Sequence, residues 1–300
     1  VDVQTQHQQA LLFVLPVAIT GSLLLPGAGE QAFLILSLIV LLGLPHGALD
    51  LEVLRRGPRD GRLASTLAYA GLAAGALLAF ALAPRLTLCA LLALSALHFG
   101  LEDGSGGPSR GGRRAEIVVR GSLPLVAPAL AHPQAAALLL GAVEGLPPGT
   151  PSPLGQALGR AGLALVPAAV LLALVEAGRA LRERRVAPLR SAAEIALLLT
   201  LFLVLSPLAS FLVYFCAVHA VRHTLDLRLP GPARSWHEAG RRFVLGLPLS
   251  LGVVVAGAAT WLALPGPPLE SGVRIVFQAL LALTLPHVWL HSRSAGRDTP

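Results

Sequence analysis

Apolar runs recur from one end of the chain to the other, and polar residues gather in the short stretches between them. A helix rises about 1.5 Å per residue, so roughly 18 or more apolar residues cross a hydrocarbon core about 30 Å thick. The pattern predicts about ten spans, at 10–25, 31–54, 63–83, 86–102, 115–143, 155–178, 191–206, 208–227, 242–263 and 271–291. Prolines interrupt the fifth, and Pro207 leaves almost no room between the seventh and the eighth. The expected fold class is all-α, a polytopic transmembrane helical bundle in which residues 1–300 form a single integral membrane domain.

Composition agrees with that pattern. The chain is 54% hydrophobic and 13% charged, where a soluble domain carries about 25% charge. A net charge of +7 would fit a nucleic-acid partner, but the placement of charge excludes one. The basic residues are all arginine and lie mostly between apolar runs. Arg55, Arg56, Arg59 and Arg62 follow the second span, and Arg110, Arg113 and Arg114 the fourth. Arg179, Arg182, Arg184, Arg185 and Arg190 follow the sixth, Arg228, Arg234, Arg241 and Arg242 the eighth, and Arg293 and Arg297 the tenth. Loops after odd spans carry almost none, Arg85 being the main exception. Basic loops stay cytoplasmic, so both termini are expected in the cytoplasm of a multi-pass cell-membrane protein, with a prokaryotic inner membrane as its expected place. No basic flank precedes the first run, so no cleaved leader is expected. The composition of 104–112 predicts a flexible linker, and 145–153 a turn on the outer side. Cys89 and Cys216 sit inside apolar runs and form neither a disulfide framework nor a thiolate metal motif.

The candidate chemistry lies in the histidines. His7, His132 and His237 fall in loops or at span edges and read as solvated or interfacial. The other six fall in four motifs: GLPHGALD (His46, Asp50), ALHFGLED (His98, Glu102, Asp103), VHAVRHTLD (His219, Arg222, His223, Asp226) and TLPHVWLH (His287, His291). Each motif sits toward the C-terminal part of an even-numbered span, so the predicted topology puts all four at one depth in the inner half of the bilayer. Ionisable groups inside a membrane are costly and mark functional sites. His219 and His223, four residues apart, face the same way on a helix and can chelate one ion. His46 and His98 add ligands from other helices, and imidazole suits Fe, Zn, Cu and Ni. His287 and His291 repeat the spacing, but His291 lies beside Arg293 at the end of its span and reads as interfacial.

Asp50, Asp103 and Asp226 are placed to accept the second ring N–H of a ligand histidine, or else to pair with arginine among the lipid headgroups. For Glu102 the headgroup position is expected. Arg222 snorkels or holds one of these acids. Pro45 and Pro286, each just before a motif histidine, open the helix beside a ligand or serve as packing kinks. Tyr214, Phe215, Phe99 and Trp289 line a flat cavity or belong to ordinary packing.

In this order and topology the motifs resemble the bacteriorhodopsin-related protein (Brp/Blh) family of membrane-bound β-carotene 15,15′-dioxygenases. The resemblance runs from about Ala32 to Trp289. It rests on Pro45-His46-Gly47 with Asp50, His98-Phe99-Gly100 with Asp103, Tyr214-Phe215 followed by His219, Arg222 and His223, and Pro286-His287. It implies non-haem Fe(2+) and O2 that split the central double bond of a lipid-soluble carotenoid, β-carotene, into two all-trans-retinal. It implies His46, His98, His219 and His223 as the iron ligands, the same set reached from depth and spacing, with no catalytic group needed beyond the metal centre. His287 matches a family histidine and is expected to touch substrate or a ligand. Two other readings stand beside this one. A two-iron desaturase or hydroxylase would carry more histidines, with HH pairs that this chain lacks. A transporter or haem protein would spread its charges through the depth of the membrane or show a haem absorption band.

Overall fold

Proline and serine set where many of the helices begin. Pro84, Pro133, Pro153 and Pro207 each open a helix, where the missing N–H costs nothing and the fixed φ suits the first turn. Ser152 and Ser206 precede two of these prolines, and their side chains accept hydrogen bonds from the backbone N–H of Leu154 and Ala209. A computed structural model describes residues 3–24, 28–56, 59–104, 110–227, 233–263 and 266–295. In chain order its helices are α1 (Val3–Leu24), α2 (Ala28–Leu38), α3 (Leu44–Ala48), α4 (Asp50–Arg56), α5 (Arg59–Leu82), α6 (Pro84–Asp103) and α7 (Arg110–Ala131). There follow α8 (Pro133–Glu144), α9 (Pro153–Glu183), α10 (Val186–Val204), α11 (Pro207–Val213), α12 (Ala220–Asp226), α13 (Trp236–Ala263) and α14 (Pro268–Ala295). Turns of π-helix at Ile39–Gly43 and Tyr214–His219 join α2 to α3 and α11 to α12.

Among the described residues, eight helical stretches are long and apolar enough to cross a membrane, and the bent pair α7–α8 would make a ninth. The protein is an all-α, polytopic membrane bundle. The span expected at 10–25 coincides with α1, whose last side chains lie outside the described residues. Most of the linker expected at 104–112 also lies outside them, as do Arg228 and Arg297. The fifth span is broken at a proline, as expected: Pro124 and Pro128 lie inside an unbroken α7, and the chain turns by 117° at His132. The cause is Pro133, which bars the preceding residue from helical ψ; His132 sits at φ −129°, ψ 60°.

Burial separates inner from outer helices. The apolar window of the α11–α12 span is 56% buried and that of α10 is 50%, against 11% for α5 and α13. Leu63, Leu67, Leu82 and Leu262 on the outer helices are exposed and face the surface that lipid would cover. With no hydrophobic force between helices in lipid, close backbone approach through small residues holds them together. A Cβ on Gly100 (α6) would collide with the Ile117 carbonyl of α7, and one on Gly121 (α7) with the Ala96 carbonyl of α6. This reciprocal contact lies two residues from His98. Gly100→Val should therefore cost about 1–3 kcal/mol through overpacking, read as a lower thermal midpoint in detergent.

Candidate metal centre

The two π-turns lie against each other at the centre of the bundle. Pro45 has no N–H, and its ring displaces the carbonyl four residues back, which widens the turn at Ile39–Gly43. Gly43 faces the ring of Phe215 in the other π-turn, so closely that a Cβ would have no room. The carbonyl of Ala217 in that second turn accepts a hydrogen bond from His7 Nε2 at 2.8 Å. His7 is buried, contrary to its expected place at a solvated edge, because it ties α1 to this irregular backbone.

These turns, with α6 and α14, bring the histidines into one cluster. Ring centres of His46 lie 5.5 Å from those of His219 and His223 and 5.9 Å from that of His287. The His98 ring lies 4.9 Å from His219, 6.4 Å from His223 and 5.0 Å from His287. His219 and His223 are 6.4 Å apart, and His223 and His287 4.7 Å. Imidazoles that share one ion at about 2.1 Å from each nitrogen hold their ring centres roughly 4.5–6.5 Å apart. All five rings are at least nine-tenths buried. The tightest group is His223, His287 and His291, each offering a nitrogen within 4.8 Å of the others, and this buried tri-histidine cluster can hold a metal ion.

The ring nitrogens show a consistent division of roles. His46 Nδ1 donates to the Gly43 carbonyl. His287 Nδ1 donates to Asp50 Oδ2 at 2.9 Å. His219 Nδ1 lies 3.7 Å from Asp103 Oδ2, and His223 Nδ1 3.6 Å from Glu102 Oε2. Each contact leaves Nε2 for another partner. The Nε2 atoms of His98, His223 and His287 are buried with no hydrogen-bond partner among the described residues. Buried polar atoms are otherwise almost always satisfied, so these nitrogens fit a cation that neutral imidazole binds.

Asp50 and Asp103 therefore sit where a ligand-orienting carboxylate belongs. Asp50 also accepts from His291 Nε2 at 3.1 Å and from the Tyr69 hydroxyl at 2.9 Å. Asp103 accepts from the Tyr214 hydroxyl at 2.6 Å, and Arg222 lies 3.8 Å from its Oδ1. Both tyrosines of the chain thus hold a buried aspartate. Arg222 also pairs with Glu194 at 2.5 Å; Arg120 reaches the same glutamate at 2.9 Å and Glu116 at 3.0 Å.

Two further expectations need correction, and for Asp226 one of two open alternatives falls away. His291 is no interfacial histidine, since α14 turns it inward onto Asp50. Glu102 faces His223 rather than the headgroups, because α6 and α12 meet there. Asp226 does not reach a ligand histidine and lines a polar cavity instead. Tyr69, Glu194 and Arg120 were not singled out in the sequence at all. Their signal was charge or hydroxyl inside an apolar run, which Glu194 and Arg120 both show.

On the other side, the rings of His46, His98, His219 and His287 open onto an apolar cavity of about 220 Å³. Phe99 and Phe215 flank them, with Phe99 4.7 Å from His219 and Phe215 5.1 Å from His46. The cavity extends to the α7–α8 bend at Pro128 and Ala136, and to Val253 on the outer helix α13.

The sequence profile described as "Beta-carotene 15,15'-dioxygenase" matches residues 37–293. The chain belongs to this Brp/Blh-type family. It is 31% identical to a protein of Halobacterium salinarum named "Probable beta-carotene 15,15'-dioxygenase Blh", over 90% of this chain and 86% of that one. It is 27% identical to a "Beta-carotene 15,15'-dioxygenase" from the uncultured marine bacterium 66A03, over 85% of this chain and 90% of that one. No solved structure matches.

Removing an orienting carboxylate from a metal site typically costs 10–100-fold in affinity. Asp103→Asn and Asp50→Asn should each lower metal affinity by about that factor, measured by metal titration of the purified protein.

Proposed function

We propose that this protein cleaves the central 15,15′ double bond of β-carotene with O2 to give two all-trans-retinal, using Fe(2+) held by His46, His98, His219 and His223. The observation that carries the reading is the ring of buried imidazoles with unpartnered nitrogens at the wall of an apolar cavity. Bound there, ferrous iron would supply the activation of O2 that a closed-shell side chain cannot.

The chain's own residues do the rest. Asp50 fixes the His287 ring through Nδ1, while Asp103 and Glu102 lie 3.7 and 3.6 Å from Nδ1 of His219 and His223. His287 lies among the ligand rings and lines the cavity, within reach of either metal or substrate. Phe99 and Phe215 offer flat faces to a conjugated chain. Apolar walls exclude water, and the depth of cavity on each side of the histidines selects the bond. No group need move a proton on the substrate. The substrate dissolves only in the bilayer, as does much of the O2, so the protein works as a multi-pass protein of a prokaryotic inner membrane. Both termini are cytoplasmic and about ten spans are present on this reading.

Coexpression in β-carotene-producing cells tests the activity. Loss of orange colour with accumulation of retinal is expected; persistent colour beside well-expressed protein would refute it. His219→Ala should abolish both bound iron and cleavage. Ala136→Phe, at the far wall of the cavity, should keep iron yet lower turnover of the forty-carbon substrate more than that of shorter apocarotenoids, measured by product chromatography.

A further inference from the structure

Two cavities of opposite character lie near the histidines. One is the apolar cavity just described. The other, about 410 Å³, is lined by polar groups from α1, α6, α7, α9, α10 and α12 on the face that carries the arginine-rich loop after α9. Six carboxylates line it, namely Glu102, Asp103, Glu176, Glu183, Glu194 and Asp226. Against them stand four arginines, Arg120, Arg179, Arg185 and Arg222, which leaves a net of two negative charges in a protein whose overall charge is +7. Three of the arginines are committed to glutamates: Arg120 and Arg222 to Glu194, and Arg179 to Glu176 and Glu183. Arg222 also lies 3.8 Å from Asp103, so among the described residues the wall carboxylates without an arginine ion pair are Glu102 and Asp226.

That wall touches the metal centre. Glu102 lies 3.6 Å from His223 Nδ1, and Asp103 lies 3.7 Å from His219 Nδ1. The His223 side chain is 3% exposed and neither ring nitrogen has a hydrogen-bond partner, although Nδ1 is aimed at Glu102. Asp103 Oδ1, buried in the cavity wall, also lacks one. A hydrated divalent cation cannot cross the apolar cavity without losing its water to hydrocarbon, at a prohibitive cost. It can follow carboxylate oxygens.

We propose that the polar cavity is the loading route for the metal, with Asp226 and Glu102 as a transit site that passes a hydrated divalent cation to His223. This rests on the metal-enzyme reading above and adds to it separate doors for ion and hydrocarbon. Clefts of one charge sign raise on-rates for the opposite charge, and added salt weakens the effect.

The test follows uptake of Co(II) by the full chain in detergent after chelator stripping, using the visible absorption of imidazole-bound cobalt. Wild-type uptake should slow as salt is raised. Asp226→Asn should slow it with the saturated absorbance unchanged. The double variant Glu102→Gln/Asp226→Asn should load about tenfold more slowly, with little dependence on salt. Val253→Trp, in the apolar cavity, should load at the wild-type rate. An unchanged rate in the double variant would overturn the proposal. So would a reduced end point in Asp226→Asn, or slow loading in Val253→Trp. Wild-type protein that binds no cobalt would remove the metal-enzyme reading itself and the loading route with it.

Discussion

The structure is organised around buried imidazoles, several of which leave a ring nitrogen without a partner among the described residues. Burying so many polar rings inside a membrane bundle is costly unless each finds a partner. Asp50 and Asp103 supply partners, and each aspartate is itself held by a tyrosine hydroxyl. Behind Asp103, Arg222, Glu194 and Arg120 form a buried chain of alternating charge, so that the carboxylate beside His219 is balanced rather than isolated. Breaking one member of such a chain strands the next charge, which is why the network acts as a unit.

The backbone bends to serve the same centre. π-Turns at Ile39–Gly43 and Tyr214–His219, the clash-free notch at Gly43 and the His7 contact to Ala217 all lie within a few residues of His46 or His219. Regular α-helix would satisfy the backbone more simply. Irregular backbone survives at membrane depth only where protein encloses it and re-satisfies its carbonyls. Here the histidine side chains themselves do so at Gly43 and Ala217.

An apolar and a polar cavity lie near the histidine cluster, the first lined by four of its rings and the second by Glu102 and Asp103, which face His223 and His219. The apolar cavity is lined by α3, α5–α9, α11, α13, α14 and the second π-turn. The polar cavity is lined by α1, α6, α7, α9, α10 and α12.

Much of this was legible in the chain alone. The long apolar runs required membrane helices, because no compact soluble form could solvate them. Histidines recurring at one end of alternate runs required a common layer, because helical rise converts position in a span into depth. What depth and spacing do not contain is rotation and contact between distant helices. Only the tertiary packing turned His291 inward to Asp50, set Glu102 against His223, drew Tyr69 onto Asp50 and moved Asp226 out to the polar cavity. These outcomes depend on which faces of separate helices meet, a non-local property settled by close backbone contacts such as Gly100 with Ile117 and Gly121 with Ala96.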